Sequence, residues 1–193
     1  MPDGRTGKEA GRDLILRAAV EVLLASGLRA ATTRAVTEKA GVGTGLLNHY
    51  FRWPELRAAA WKAIFNEVVS EQFAPEIEPD AALERYFATA FEPGARQYWQ
   101  LWIEASDLAA SEEAMANALR EVQARLHDGL VTTLCAGCEK GLWRLANPEA
   151  TALRLGALYD GLAALLISRA QSLDAPDAEE HLRAAFDLER GSA

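Results

Sequence analysis

Apolar residues recur through the chain at helical spacing. Between residues 12 and 26 they fall at Leu14, Ile15, Ala18, Ala19, Val22 and Leu23, the i, i+3, i+4 stripe of an amphipathic helix. Gly27 supplies a C-terminal stop. Thr32 then predicts an N-cap for a short helix over 33–40, closed by Gly41. A third short helix is expected from Thr44 to Phe51, with Leu47 and Phe51 on one face, and a fourth from Pro54 to about Gln72. Beyond the break APEIEPD, further helices are expected over about 80–91, 94–108, 111–141, 148–171 and 177–189, punctuated by Pro93-Gly94, Asn147-Pro148 and Ala175-Pro176. No stretch alternates apolar and polar residues with β-branched enrichment, so strands are not expected. The fold class is therefore all-α, with about nine helices.

The two short helices joined by Ala40-Gly41-Val42-Gly43 have the proportions of a helix-turn-helix. Such a unit places its second helix in the major groove, with its N-terminal residues at the base edges. Thr44, Gly45, Leu46, Asn48 and His49 are then the candidate base readers. Asn48 suits a bidentate pair with adenine, and Leu46 suits a thymine methyl. Thr33, Arg34, Arg52 and Arg57 are candidates for backbone contacts. Two glycines at 43 and 45 permit close approach to DNA. The expected division is a reading domain over 1–57 and a larger helical domain over 58–193.

The charge supports two jobs in one chain. The net charge of −8 argues against nucleic acid. Residues 1–65, however, hold ten Lys/Arg against six Asp/Glu, a net +4, while the remainder carries −12. A local positive surface is enough to meet phosphates. No run of about 18 consecutive apolar residues occurs, so no membrane partner is expected. The first residues, MPDGRTGKEAGRD, contain no apolar core of a secretory signal, which points to the cytoplasm.

A single reading head spans too few base pairs for selectivity, so a homodimer on a palindromic operator is expected. Leu155, Leu158, Tyr159, Leu162, Leu165 and Leu166 form a broad stripe that would pack against a second copy; the competing reading is that it closes the subunit's own core. All five tryptophans lie between 53 and 143. Trp99 and Trp102 are three apart on a helix and, with Tyr86, Phe91 and Tyr159, are candidates to line a ligand pocket. An aromatic box beside Glu104 or Asp107 would suit a cation.

Catalytic and metal readings fail on inventory. Cys135 and Cys138 form a C-x-x-C, the basis of an alternative reading as an all-α thiol oxidoreductase. Zinc would require two more ligands, and His49, His127 and His181 lie at none of the usual short spacings. Gly41-Val42-Gly43-Thr44-Gly45 lacks the G-K-[ST] ending of a phosphate loop, and neither G-x-S-x-G nor H-E-x-x-H occurs. No cofactor, no metal and no enzymatic activity are expected.

The stretch ILRAAVEVLLASGLRAATTRAVTEKAGVGTGLLNHYF, residues 15–51, resembles the TetR family of bacterial transcriptional regulators. TGLLNHYF is similar to the choline-responsive BetI branch, and QLWIEASDLAAS and LGALYDGLAALL are similar to that branch's rear domain. The resemblance implies a three-helix reading domain, a helical ligand-binding and dimerisation domain, and a small-molecule effector that releases DNA. It also implies DNA-contacting positions at Thr33, Arg34, Thr44, Gly45, Leu46, Asn48 and His49. Two positions depart from the family pattern. Asn48 stands where many relatives have Tyr, and Trp53-Pro54 where they have a phosphate-binding Lys, so Arg52 or Arg57 would have to compensate.

Overall fold

The computed structural model describes residues 4–169 and 172–190, and every element among them is helical. In chain order the helices are α1 (Gly4–Ser26), α2 (Thr33–Ala40), α3 (Thr44–Tyr50), α4 (Trp53–Gln72), α5 (Pro79–Ala90), α6 (Arg96–Ala109), α7 (Glu113–Glu139), α8 (Pro148–Ser168) and α9 (Ala175–Glu189). The chain divides into two compact units. The first runs to Asn66 and takes in Gln100–Val122; the second comprises Glu67–Trp99 and the chain from Gln123 onward. The C-terminal part of α6 and the start of α7 thus belong with α1 to α3 and most of α4, a grouping that the division at residue 57 does not include.

In the first unit, α2 lies against α1 and α3. Ile15, Ala19, Leu23, Leu28, Val36, Leu47, Leu56 and Trp61 are buried there. The indole N–H of Trp61 donates to the carbonyl of Leu101 at 3.1 Å, tying α4 to α6. Local sequence sets the short helices. The Thr32 hydroxyl accepts from the Ala35 N–H at 3.2 Å. Gly41 takes φ 66, where a side chain is strained, and its N–H closes α2 onto Glu38 and Thr37.

In the second unit, α9 packs on α8 and α5. Leu83, Phe87, Leu130, Leu134, Trp143, Leu155, Leu162, Leu182 and Phe186 form its core. Helix ends follow their caps. Asp174 and Asp177 form a reciprocal capping box that starts α9 at Ala175, two residues before the expected position. Arg169, at φ 52, ends α8 after Ser168; the expected end at 171 lies outside the described residues.

Of the six residues in the stripe expected to meet a second copy, two are buried within the chain and four, Leu165 among them, are half-buried. Leu155 and Leu162 are buried, and Leu158, Tyr159 and Leu166 pack against the same core. The exposed side of α8 carries Leu153, Ala157, Gly161 and Ala164. This helix is apolar around most of its circumference, so a stripe alone does not say which side is inward. Among the described residues, α8 is also the one helix long and apolar enough to cross a membrane by length and composition. Only 28% of its apolar window is buried within the chain.

Candidate nucleic-acid interface and aromatic site

The helix-turn-helix exposes the residues that the sequence singles out. On α3, Leu47 is fully buried while Thr44, Gly45, Leu46, Asn48 and His49 are exposed. Three polar side chains, one exposed leucine and the bare backbone of Gly45 therefore make up the outward surface of one short helix. No side chain caps its N-terminus at Gly43, and a Cβ at Gly43 or Gly45 would meet nothing within 4 Å. Neither glycine is needed for internal packing.

The basic residues divide into available and committed ones. Arg34 is exposed and forms an i, i+4 pair with Glu38 at 2.8 Å. An exposed pair of this kind contributes only about 0–1 kcal/mol, so the guanidinium exchanges partners easily. Thr33 is half-buried and Arg52 exposed. The Arg52 N–H donates to Glu55 at 3.3 Å, which opens α4. Arg57 is committed inward: its side chain is 11% exposed, it pairs with Glu112, and it lies 5.8 Å from the Trp53 ring centroid. The expectation that Arg57 compensates for a missing phosphate contact is therefore corrected. A buried guanidinium that left its carboxylate would strand a buried charge. Arg52 is the remaining candidate.

The second unit brings together four of the six residues proposed for a ligand. Phe91 stacks on Tyr159 at 5.5 Å and lies 5.7 Å from Trp99. Tyr86 lies 6.0 Å from Tyr159. The indole N–H of Trp99 is shared between the Ala90 carbonyl at 3.1 Å and the Tyr159 hydroxyl at 3.2 Å. Burial pushes the Tyr159 phenol up to about 12, partly opposed by the Trp99 N–H, and raises Tyr86 further. Both rings are therefore neutral at ordinary pH. The adjacent Asp160 is pushed up from 3.8 to about 6 by desolvation, although it keeps solvent contact along one side of α8.

The other two residues lie elsewhere. Trp102 packs on Trp61 at 5.5 Å and Phe65 at 5.2 Å, all within the first unit. Glu104 accepts hydrogen bonds from the Leu28 and Arg29 backbone N–H groups, and Asp107 pairs with Arg29 at 2.7 Å. Asp160, rather than Glu104 or Asp107, is the carboxylate next to the aromatic set. Its position directly after Tyr159 is the signal that the sequence offers for it. Three residues along a helix rotate a side chain by about 60° from its neighbour, and that offset separates Trp102 from Trp99.

Cys135 and Cys138 are half-buried in the last turns of α7. Between them, Gly137 is covered by Trp143, whose indole N–H donates to the Leu134 carbonyl at 2.9 Å. Among the described residues, no group of three or more His, Cys, Asp or Glu is placed to hold a metal ion.

Residues 15–52 match the family model for the N-terminal domain of bacterial regulatory proteins of the tetR family, and residues 79–190 match that for the C-terminal domain of BetI-type transcriptional repressors. No curated protein matches the sequence. Among solved structures, a Rhodococcus sp. protein described as a TetR-family transcriptional regulator is 25% identical, with a TM-score of 0.75 over 94% of this chain and 98% of that one. A TetR transcription regulator from Haloarcula marismortui is 16% identical and reaches 0.80 over 95% and 100%. A Saccharomonospora viridis protein described as a transcriptional regulator, solved in complex with choline, is 16% identical and reaches 0.76 over 93% and 96%. Regulators of this family bind DNA and small-molecule effectors and act as dimers, and a thiol oxidoreductase is not favoured. This chain belongs to the TetR family and is a ligand-responsive DNA-binding transcriptional regulator with a BetI-type C-terminal domain.

Proposed function

We propose that two copies of this chain bind a palindromic operator in the cytoplasm and leave it when a small organic cation enters the second unit. Thr44, Gly45, Leu46, Asn48 and His49 would read bases, with Thr33, Arg34 and Arg52 on the phosphates. The cation would lie among Tyr86, Phe91, Trp99 and Tyr159. The observation that carries this reading is the neutral aromatic set with Asp160 beside it. Ring faces attract cations by about 0.5–2 kcal/mol each, more when desolvated. An adjacent carboxylate adds charge complementarity. The choline bound to the Saccharomonospora viridis protein is a cation of this class.

The rings are packed on one another, so binding requires Phe91 or Tyr159 to move. A ligand shifts a two-state equilibrium only by its differential affinity; moving from 1:99 to 99:1 takes about 5.5 kcal/mol. Pairing of copies would use the outward side of α8 and α9, a reading supported by Leu153 at 65% and Leu188 at 87% exposure. Such large apolar side chains are the kind that an interface covers.

Choline, tetramethylammonium and the neutral carbon isostere of choline are the test probes. Each is titrated against wild type and Trp99→Phe while tryptophan emission and operator release are followed. The cations are expected to release DNA and to change an emission component that W99F lacks. Their affinity should fall as pH drops through about 6, because protonated Asp160 no longer offers a charge. Equal potency of the isostere, or cation release unaffected by Tyr159→Ala, would remove this reading.

A further inference from the structure

We propose that Glu104 is a positioning residue for operator binding: it fixes the loop between α1 and α2, and through it the reading helices, without touching DNA. One carboxylate oxygen of Glu104 accepts from the backbone N–H of Leu28 at 2.6 Å and of Arg29 at 3.3 Å. The other accepts from the Gln100 side-chain amide at 3.2 Å, which holds the carboxylate in place. The Arg29 guanidinium is taken by Asp107, one helical turn further along α6. Gly27 makes the approach possible. Its φ is +82, and a Cβ there would lie 3.0 Å from the Glu104 oxygen.

The loop's N–H groups follow the end of α1 and precede the Thr32 cap, so no helix of their own satisfies them. A carboxylate from 75 residues away does. Hydrogen bonds to a charged acceptor are roughly twice as strong as neutral ones. Leu28, fully buried, is held at the same point. Within this unit α4 is also held by the Trp61 indole on the Leu101 carbonyl of α6 and by the buried pair of Arg57 with Glu112, the residue before α7. The reading head is therefore anchored at its loop by Glu104 and at α4 by these contacts. This proposal rests on the family's DNA binding and deepens it; retention of DNA by the wild type tests that reading separately.

The test uses the full-length chain and a genomic fragment selected by the wild type. Binding is measured by fluorescence anisotropy over a salt series, and amide exchange at Leu28 and Arg29 by hydrogen–deuterium exchange. Glu104→Ala should raise Kd at least about tenfold and speed exchange at both amides. Its salt slope should stay unchanged, because no phosphate contact is lost. Glu104→Gln keeps an acceptor and should restore binding to within about threefold. Wild-type affinity in a folded Glu104→Ala, or a slope reduced by about one unit, overturns the proposal. Should Glu104→Ala fail to fold, Glu104→Asp decides, since its carboxylate is withdrawn by one methylene. Weaker binding at unchanged slope supports the proposal, and wild-type binding overturns it.

Discussion

Gly45→Ala separates folding from reading in a single substitution. Gly45 is the second residue of α3, its φ lies outside the left-handed region, and an added Cβ would meet nothing within 4 Å. Alanine loses less backbone freedom on folding, so the change should stabilise the protein by about 0.5–1 kcal/mol. For a domain of this size that is a Tm rise of roughly 1–4 °C. Operator binding should move the other way. On the proposed reading the exposed N-terminal turn of α3 would approach DNA through its backbone, and a methyl group there would hold the helix out of the groove. Losing one base contact costs about 1–3 kcal/mol, or about 5- to 150-fold in Kd. Thermal melts and fluorescence anisotropy on one protein preparation give both numbers. A variant that melts higher yet binds operator as tightly as the wild type would refute the reasoning, since the glycine would then serve neither folding nor approach.

Asp160→Asn should raise the Tm at pH 7.5 and leave it nearly unchanged at pH 4. The folded state holds this proton up to about pH 6 while the free carboxyl releases it near 3.8, so charging Asp160 above pH 6 costs stability that the amide avoids. A larger gain at pH 4 than at pH 7.5 would contradict the shift. Gly137→Ala should destabilise by about 1–3 kcal/mol through overpacking, because its Cβ would fall 1.9 Å from the Trp143 ring. An unchanged melt would show that Trp143 has room to yield. The double variant Cys135→Ser, Cys138→Ser should bind operator with an unchanged Kd; a large loss would return the thiols to the functional argument.

The fold was largely legible because its signals are local. Helical spacing together with Thr32, Gly41 and Asn147 placed α2, α3 and the start of α8 to within about a residue. The outward surface of α3 followed from the single buried Leu47. The errors concern contacts between residues far apart in sequence. Arg57 and Glu112 are 55 positions apart, and nothing near either announces a buried pair. Glu104 resembled a pocket carboxylate because it follows two tryptophans, but its partners are the backbone N–H groups of Leu28 and Arg29, which have no side-chain signature. The stripe from Leu155 to Leu166 left open whether it meets a second copy or the subunit's own core, because an apolar circumference gives no preferred side. Asp160 has no local signature because its nearness to Tyr86, 74 positions away, comes from the fold.

The most direct measurement is selection of genomic fragments by the full-length protein, followed by footprinting and determination of the number of chains per duplex. The account predicts an inverted repeat whose half-sites lie about one helical turn, roughly 34–36 Å, or a multiple of it apart. It also predicts two chains per duplex and loss of the footprint in the Arg34→Ala, Asn48→Ala double variant. Enrichment of no fragment, or a footprint that survives that variant, would contradict it.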